Sequence, residues 1–223
     1  MPTELRACIF DFGGVLTSSI RDSFARFEQR LGLPERAILH AFRGDGADAP
    51  EPDFFRLERG EITEGEFYRL MRRRLEEHLD RPVALPEDPA AVRDMMFGSL
   101  TRNDEMVAAA HAIAGHYPTG ILSNNVKEWT GWRAWVESHR FHAVIDSSDC
   151  GMRKPEPGIY ALACEQLGVR PQEAAFVDDI PVNVEGAAAV GMHAIRFTTT
   201  EEVLAELRPL FPRAFAAEES VGA

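Results

Sequence analysis

The sequence has few cysteines, no long apolar run and a shortage of positive charge, and each of these excludes a class of protein. The three cysteines, Cys8, Cys150 and Cys164, are odd in number and lack the spacing of metal ligands. We therefore expect neither a disulfide framework nor a zinc site, and we expect Cys8 and Cys164 to be buried. Because no apolar run reaches membrane-spanning length and no charged-then-apolar leader begins the chain, the expected location is a reducing cytoplasm.

Acidic residues outnumber basic ones, 36 to 24, which gives a formal net charge of −12. They are spread along the chain, so neither nucleic acid nor an anionic membrane is expected as the main partner. A small phosphorylated metabolite remains compatible, because a local site can be positive within an acidic protein. The sequence carries no sign of the oligomeric state. Its 223 residues, 45% of them hydrophobic, suffice for one large domain with a smaller insertion.

The first strong pattern is the apolar run Ala7-Cys8-Ile9-Phe10, which ends on Asp11 and is followed by Gly13 and Gly14. It predicts a buried parallel strand that carries Asp11 at its carboxyl end, where open α/β sheets bind ligands. The glycines permit a sharp turn close to a ligand. Taken alone, the pattern is more typical of an ordinary turn between a strand and a loop.

From Thr17 to Thr101 the periodicity is helical. We predict helices over residues 20–31, 34–42, 64–79 and 89–99, the third opened by a Thr63–Glu66 capping box. Residues 44–53 read as a loop whose carboxylates lack calcium-site spacing, and the arginines of residues 72–74 read as a solvated face. The sequence thus predicts a helical cap of residues 17–101, inserted into an α/β core made of residues 1–16 and 102–223.

After Arg102 strands and helices alternate, which is typical of a parallel sheet with helical crossovers. The predicted strands are residues 120–122, 143–145, 174–177 and 193–197, and the predicted helices are residues 103–117, 127–139, 155–168 and 201–207. Three tryptophans at three-residue spacing in the second helix are expected to pack on the sheet. The fold class is therefore α/β, a Rossmann-like doubly wound parallel sheet.

Strand ends and the loops beside them present reactive groups in chain order: Asp11, Ser123, Lys154 and the pair Asp178-Asp179. If the first and fourth strands are neighbours, three carboxylates crowd one crevice and raise one another's pKa unless a cation intervenes. Magnesium suits best, because it takes few carboxylates and shares its remaining positions with water and phosphate. With magnesium and Lys154 the formal charges cancel, so a phosphate dianion can enter. Separately, each residue also fits a helix cap or a surface charge.

Four segments together resemble the motifs of the haloacid dehalogenase superfamily, in the right order. They are IFDFGGVL (residues 9–16), ILSNN (121–125), GMRKPEPGIY (151–160) and FVDDIPVNVEGA (176–187). The resemblance spans residues from about 5 to 200, and the helical insertion lies where that superfamily has a small helical cap. Within that superfamily the sequence resembles the subgroup containing the phosphatase domain of soluble epoxide hydrolases and bacterial sugar-1-phosphate phosphatases.

The resemblance implies a magnesium-dependent phosphatase that acts on a small phosphorylated metabolite through an aspartyl-phosphate on Asp11. The resemblance also implies a role for each site residue. Asp11, Ser123 and Lys154 are catalytic, and Ser123, Asn124 and Lys154 bind the phosphate. Asp11, the Gly13 carbonyl and Asp179 bind Mg²⁺, with Asp178 acting through water, and Asn183 supports the lysine.

The chain departs from the family at Gly13, where many of these phosphatases carry an aspartate as general acid and base. Its loss affects proton transfer to the leaving group, a contribution of about 10² to 10⁴ in rate. We therefore expect a preference for good leaving groups, such as sugar-1-phosphates, acyl phosphates and aryl phosphates. Two alternatives stay open: a 2-haloacid dehalogenase-type hydrolase, against which the Asp178-Asp179 pair argues, and a non-catalytic ligand-binding or regulatory protein.

Overall fold

A five-stranded parallel sheet of order β3-β2-β1-β4-β5 lies at the centre of the molecule. The computed structural model describes residues 4–42 and 51–219, with side chains to residue 216. The strands are β1 Ala7–Phe10, β2 Thr119–Ser123, β3 Ala143–Asp146, β4 Ala174–Asp178 and β5 His193–Arg196. Helices cover both faces of the sheet, so the predicted Rossmann-like α/β class is confirmed.

The α-helices fall into two groups, before and after residue 102. The first group is α1 Ile20–Arg30, α2 Ala37–Phe42, α3 Asp53–Glu58, α4 Glu64–Leu79 and α5 Pro89–Phe97. The second group is α6 Asp104–Ala114, α7 Trp132–Trp135, α8 Ser147–Cys150, α9 Pro157–Leu167, α10 Pro181–Ala189, α11 Thr200–Leu210 and α12 Pro212–Glu219. None of the helices that the structure describes has the length and apolar character needed to cross a bilayer.

Strand β1 is buried on both faces, as its continuous apolar sequence predicts. Cys8 and Phe10 belong to an apolar cluster on one side of the sheet with α6, α11 and α12. Ala7 and Ile9 belong to a second cluster, on the side of α9 and α10. Cys8 and Cys164 are both buried, as predicted. Because β1 lies between β2 and β4, its carboxyl end is at the middle of the sheet edge.

Helices α1 to α5 have an apolar cluster of their own, which also takes in Val126 and Trp129 from the loop after β2. The chain leaves and rejoins the sheet at one place, where Thr17 and Arg102 form an antiparallel bridge and Ser18 N donates to Thr101 O at 2.8 Å. These two features support the predicted division into a core of residues 1–16 and 102–223 and a cap of residues 17–101. The division itself stays a prediction.

The predicted helix over residues 127–139 is wrong. Only Trp132–Trp135 is α-helical there, followed by a 3₁₀ turn at Ser138–Arg140. The reason is that the tryptophans pack in different places. Trp129 contacts Phe97 in the helical group, with ring centroids 4.4 Å apart, whereas Trp132 contacts Phe12 beside the sheet at 4.8 Å.

Smaller differences concern segments whose periodicity was too short to detect. Helices α3, α8 and α12 were not predicted. The predicted loop 44–53 lies outside the described residues except for its last three residues. The last of these, Asp53, begins α3. The solvated arginine face is only partly correct. Arg73 is exposed, but Arg74 is buried and pairs with Asp53 at 2.5 Å.

Candidate active site

Three carboxylates meet at the carboxyl edge of the sheet because β1 and β4 are hydrogen-bonded neighbours. Phe10 pairs with Val177, which brings Asp11, one residue beyond β1, beside Asp178 at the end of β4. Asp11, Asp178 and Asp179 each offer an oxygen within 4.8 Å of the other two. The predicted crevice of carboxylates is therefore present, and it depends on strands that are more than 160 residues apart in the chain.

Lys154 lies between two of these carboxylates and is almost fully buried, at 1% exposure. Its Nζ is 2.7 Å from Asp11 Oδ1 and 2.6 Å from Asp178 Oδ2. Burial alone would lower the pKa of Lys154, but the charges of Asp11 and Asp178 raise it above its ordinary value. The ammonium thus stays protonated while it holds the two carboxylates.

Asp11 is 5% exposed. Burial raises the pKa of its carboxyl; Lys154 opposes this effect, and the charges of Asp178 and Asp179 add to it. Asp11 also caps the turn that follows, since its Oδ1 accepts a hydrogen bond from Phe12 N at 2.7 Å. That turn, Phe12–Leu16, contains Gly13 and Gly14. One ammonium therefore serves a site in which negative charge is in excess.

Asp178 is held rigidly, with no exposed surface. In addition to Lys154, its oxygens accept hydrogen bonds from Ile180 N at 2.8 Å and from Asn183 Nδ2 at 3.1 and 3.2 Å. Asn183 is fixed in turn by Tyr160, whose hydroxyl donates to Asn183 O at 2.8 Å. With its lone pairs in use, Asp178 is better suited to position other groups than to bind an ion directly.

Asp179 differs from its neighbour, because its Oδ1 is one of the few buried side-chain nitrogen or oxygen atoms in the described residues without a hydrogen-bond partner. Burial and then the charge of Asp178 raise the pKa of Asp179 to about 6. A buried carboxylate oxygen left without a donor is costly unless a cation binds it. Oxygen donors alone suit Mg²⁺, Mn²⁺ or Ca²⁺. The residues present therefore fit a hard divalent cation.

Gly14 makes this position of Asp179 possible. Its φ of +87° is in the left-handed region, and a Cβ there would lie 2.5 Å from Asp179 Oδ2. A side chain at position 14 would thus be strained and would displace the carboxylate.

Ser123 and Asn124 lie at and just beyond the end of β2, next to β1. Ser123 is 3% exposed. The side chain of Asn124 bonds to the Lys154 backbone in both directions: its Nδ2 donates to Lys154 O at 3.0 Å, and its Oδ1 accepts from Lys154 N at 2.8 Å. This positions the loop that carries Lys154. The Asn124 amide group is therefore used within the protein, a function that its place in the motif did not reveal.

Sequence reasoning missed a polar junction between α3 and the Lys154 loop. Arg153 Nε donates to Glu58 Oε2 at 2.6 Å, both side chains are nearly buried, and Ser147 Oγ donates to Glu58 O at 2.6 Å. The guanidinium of Arg153 also lies over the Phe55 ring, 3.6 Å from its centroid. The one available signal was the charged residue beside Lys154 in the third motif.

Comparisons with known proteins agree with this fold. A family model described as haloacid dehalogenase-like hydrolase matches residues 5–191. Bifunctional epoxide hydrolase 2 of Sus scrofa is 32% identical over 216 residues, which cover 91% of this chain and 38% of that protein. The present chain thus spans less than half the length of this relative.

Two further relatives match over most of both chains. Validoxylamine A 7'-phosphate phosphatase of Streptomyces hygroscopicus subsp. limoneus is 25% identical over 90% of each chain. (S)-2-haloacid dehalogenase 4A of Burkholderia cepacia is 27% identical over 88% of this chain and 84% of its own. A solved HAD-family enzyme from Bacteroides thetaiotaomicron, in complex with magnesium and inorganic phosphate, shares the fold with a TM-score of 0.61 and 22% identity, over 87% of this chain and 94% of its own.

Proposed function

Because this chain belongs to the haloacid dehalogenase-like hydrolase family, we propose that it is a magnesium-dependent phosphatase that hydrolyses a small phosphorylated metabolite through an aspartyl-phosphate. The carrying observation is the arrangement of Asp11, Lys154 and Asp179. A buried carboxylate is held by one ammonium, beside a second carboxylate that has an oxygen without a donor. Such a site lacks positive charge, which a cation would supply, and the cation would in turn allow a phosphate dianion to bind.

Asp11 is the proposed nucleophile. Its position at the end of a buried central strand fixes it, and Lys154 favours the ionised carboxylate that must attack phosphorus. The new bond joins an Asp11 oxygen to phosphorus while the bond from phosphorus to the leaving oxygen breaks. Water then attacks the phosphoryl group, which releases phosphate and restores Asp11.

Asp11, Asp179 and the Gly13 carbonyl would hold Mg²⁺, with Asp178 acting through water. When bound, Mg²⁺ would offset the carboxylate charge and polarise the phosphoryl group. Lys154, held by Asp11 and Asp178, and the hydroxyl of Ser123 are the proposed phosphate contacts. Asn124 contributes by fixing the Lys154 backbone, and Asn183 by fixing Asp178. The proposed substrate is a sugar phosphate or another metabolite with a good leaving group.

A direct assay tests the proposal. Wild-type protein with Mg²⁺ should release phosphate from an aryl phosphate, and EDTA or Asp11→Asn should each reduce the rate by at least about 10³-fold. Asp149→Asn, which changes an exposed carboxylate in the same way, should keep the full rate.

Two other results would replace the proposal with one of its alternatives. Release of chloride from a 2-haloacid without metal would identify a dehalogenase, the activity for which one relative is named. Thermal stabilisation by phosphate esters without turnover of any of them would identify a binding protein.

A further inference from the structure

We propose that Ile20 determines the substrate specificity of the site. It fills the space into which a side chain at position 13 would project, and it thereby restricts the site to phosphates with good leaving groups. This inference rests on the proposed phosphatase function and names a residue with no role in it so far. Its basis is a difference between the two adjacent glycines that follow Asp11.

Gly14 is required by its backbone, but Gly13 is not. The dihedral angles of Gly13, φ −77° and ψ 116°, suit any residue. The obstacle at Gly13 is a neighbour: a Cβ there would lie 2.9 Å from Ile20 Cγ1 and 3.3 Å from Ile20 Cδ1. Glycine at position 13 is therefore explained by Ile20 and not by the turn.

The main chain at Ile20 is held in place by the helix that it begins. It is the first residue of α1, directly after the N-cap Ser19, whose Oγ accepts from Asp22 N at 3.3 Å. Arg26, further along α1, donates to Ser99 Oγ at 3.0 Å. The crowding atom, Cγ1, is bonded directly to Cβ, so relieving the contact requires a change of χ1 at Ile20 or a shift of the main chain. A side chain at position 13 must therefore compete with a well-anchored one.

The consequence is a hydrocarbon surface where a proton donor would stand. The charged groups that act most strongly on Asp11 are Lys154, Asp178 and Asp179. Lys154 donates a hydrogen bond to Asp178. Asp179 belongs to the proposed cation site. None of these three is free to protonate a leaving oxygen. The substrate class that fits is an acyl, aryl or anomeric phosphate, whose leaving group departs as a comparatively stable anion.

Thermal melting tests the contact without any assay. In the wild-type background, Gly13→Ala should lower Tm by about 3 to 8 °C through overpacking. In the Ile20→Ala background the same change should leave Tm unchanged or raise it, because alanine restricts the unfolded chain at a permissive backbone position. Gly14→Ala should lower Tm in both backgrounds. Equal Tm losses from Gly13→Ala in both backgrounds would overturn the contact.

Leaving-group dependence tests the specificity. With Mg²⁺, the wild type should hydrolyse nitrophenyl phosphate on the order of 10² to 10⁴ times faster than an alkyl phosphate. The double variant Gly13→Asp/Ile20→Ala should narrow that ratio at least about tenfold, whereas Gly13→Asp alone should not. The matched control, Gly13→Asn/Ile20→Ala, has the same shape without an acid and should keep the wild-type ratio.

The two proposals fail differently. If the double variant keeps the wild-type ratio, or if Gly13→Asp alone narrows it as much, the role of Ile20 is wrong and the phosphatase stands. If the wild type hydrolyses no phosphate in the panel, the phosphatase and the specificity are both wrong, and the melting experiment still decides whether Ile20 excludes a side chain at position 13.

Discussion

The carboxyl edge of the sheet and the helical group of residues 20–97 both bury charged side chains, but they balance them differently. In the helical group, two of the buried charges that the structure describes have ion-pair partners within the group. Arg74 pairs with Asp53, and Glu64 pairs with Arg93 and accepts from Trp129 Nε1 at 2.6 Å. At the sheet edge one ammonium contacts two of the three carboxylates, and Asp179, the third, retains an oxygen without a donor.

This difference separates structural charge from functional charge. A balanced buried pair contributes to packing and specificity of the fold, and it attracts no further ion. An unbalanced cluster costs free energy by itself, and binding a cation relieves that cost. We therefore expect charge changes at the sheet edge to affect activity and those in the helical group to affect stability.

Among the changes that test this comparison, Lys154→Met has the largest expected effect. It removes the ammonium from Asp11 and Asp178, so phosphatase activity should fall by at least about 10²- to 10³-fold. Lys127 is the only other lysine in the sequence and is exposed, and Lys127→Met should keep full activity. Retention of more than a tenth of the activity by Lys154→Met would break the comparison, since the ammonium would then be structural only.

A smaller effect is expected for Asn124→Ala. The change removes both hydrogen bonds to the Lys154 backbone, so kcat should fall about tenfold while KM for an aryl phosphate changes little, as expected for lost positioning. Asn124→Asp keeps the acceptor for Lys154 N and should be intermediate in kcat. If Asn124→Ala raises KM and leaves kcat intact, Asn124 binds substrate and does not position the lysine.

The smallest effect on activity is expected for Arg74→Met in the helical group. Among the described residues it leaves Asp53 paired with Arg56, whose side chain is 42% exposed, at 3.0 Å, so the free energy of unfolding should fall by about 2 to 4 kcal/mol. Activity at 25 °C should stay within about threefold of wild type. Urea unfolding and the aryl phosphate assay measure both quantities, and lost activity with unchanged stability would contradict the assignment.

The carboxylates of the sheet edge were predictable because the local sequence marks each of them as lying at the end of a strand. Asp11 follows a continuous apolar run, and Asp178-Asp179 follows another, so both are placed at strand ends before any contact is known. Which strands are adjacent was the one unknown, and the pairing of Phe10 with Val177 confirmed the assumption. The resemblance added the order of the motifs.

The rest depended on contacts that one segment cannot reveal. Periodicity predicted a single helix through Trp129 and Trp132. Trp129 instead donates a hydrogen bond to Glu64, a residue 65 positions earlier in the chain. The use of the Asn124 side chain depends on Lys154, and the reason for glycine at position 13 depends on Ile20. Local sequence thus specifies which residues reach the sheet edge, whereas tertiary packing decides what surrounds them.

In the proposed mechanism, Asp11 carries the phosphoryl group during turnover. The most direct measurement is an acid quench of the wild-type protein during hydrolysis of an aryl phosphate with Mg²⁺, followed by mass spectrometry of the peptide that contains Asp11. We predict a phosphoryl group on Asp11 that disappears as substrate is exhausted and is absent from Asp11→Asn. Undiminished phosphate release by Asp11→Asn, with no phosphoryl group on the wild-type peptide, would contradict the account.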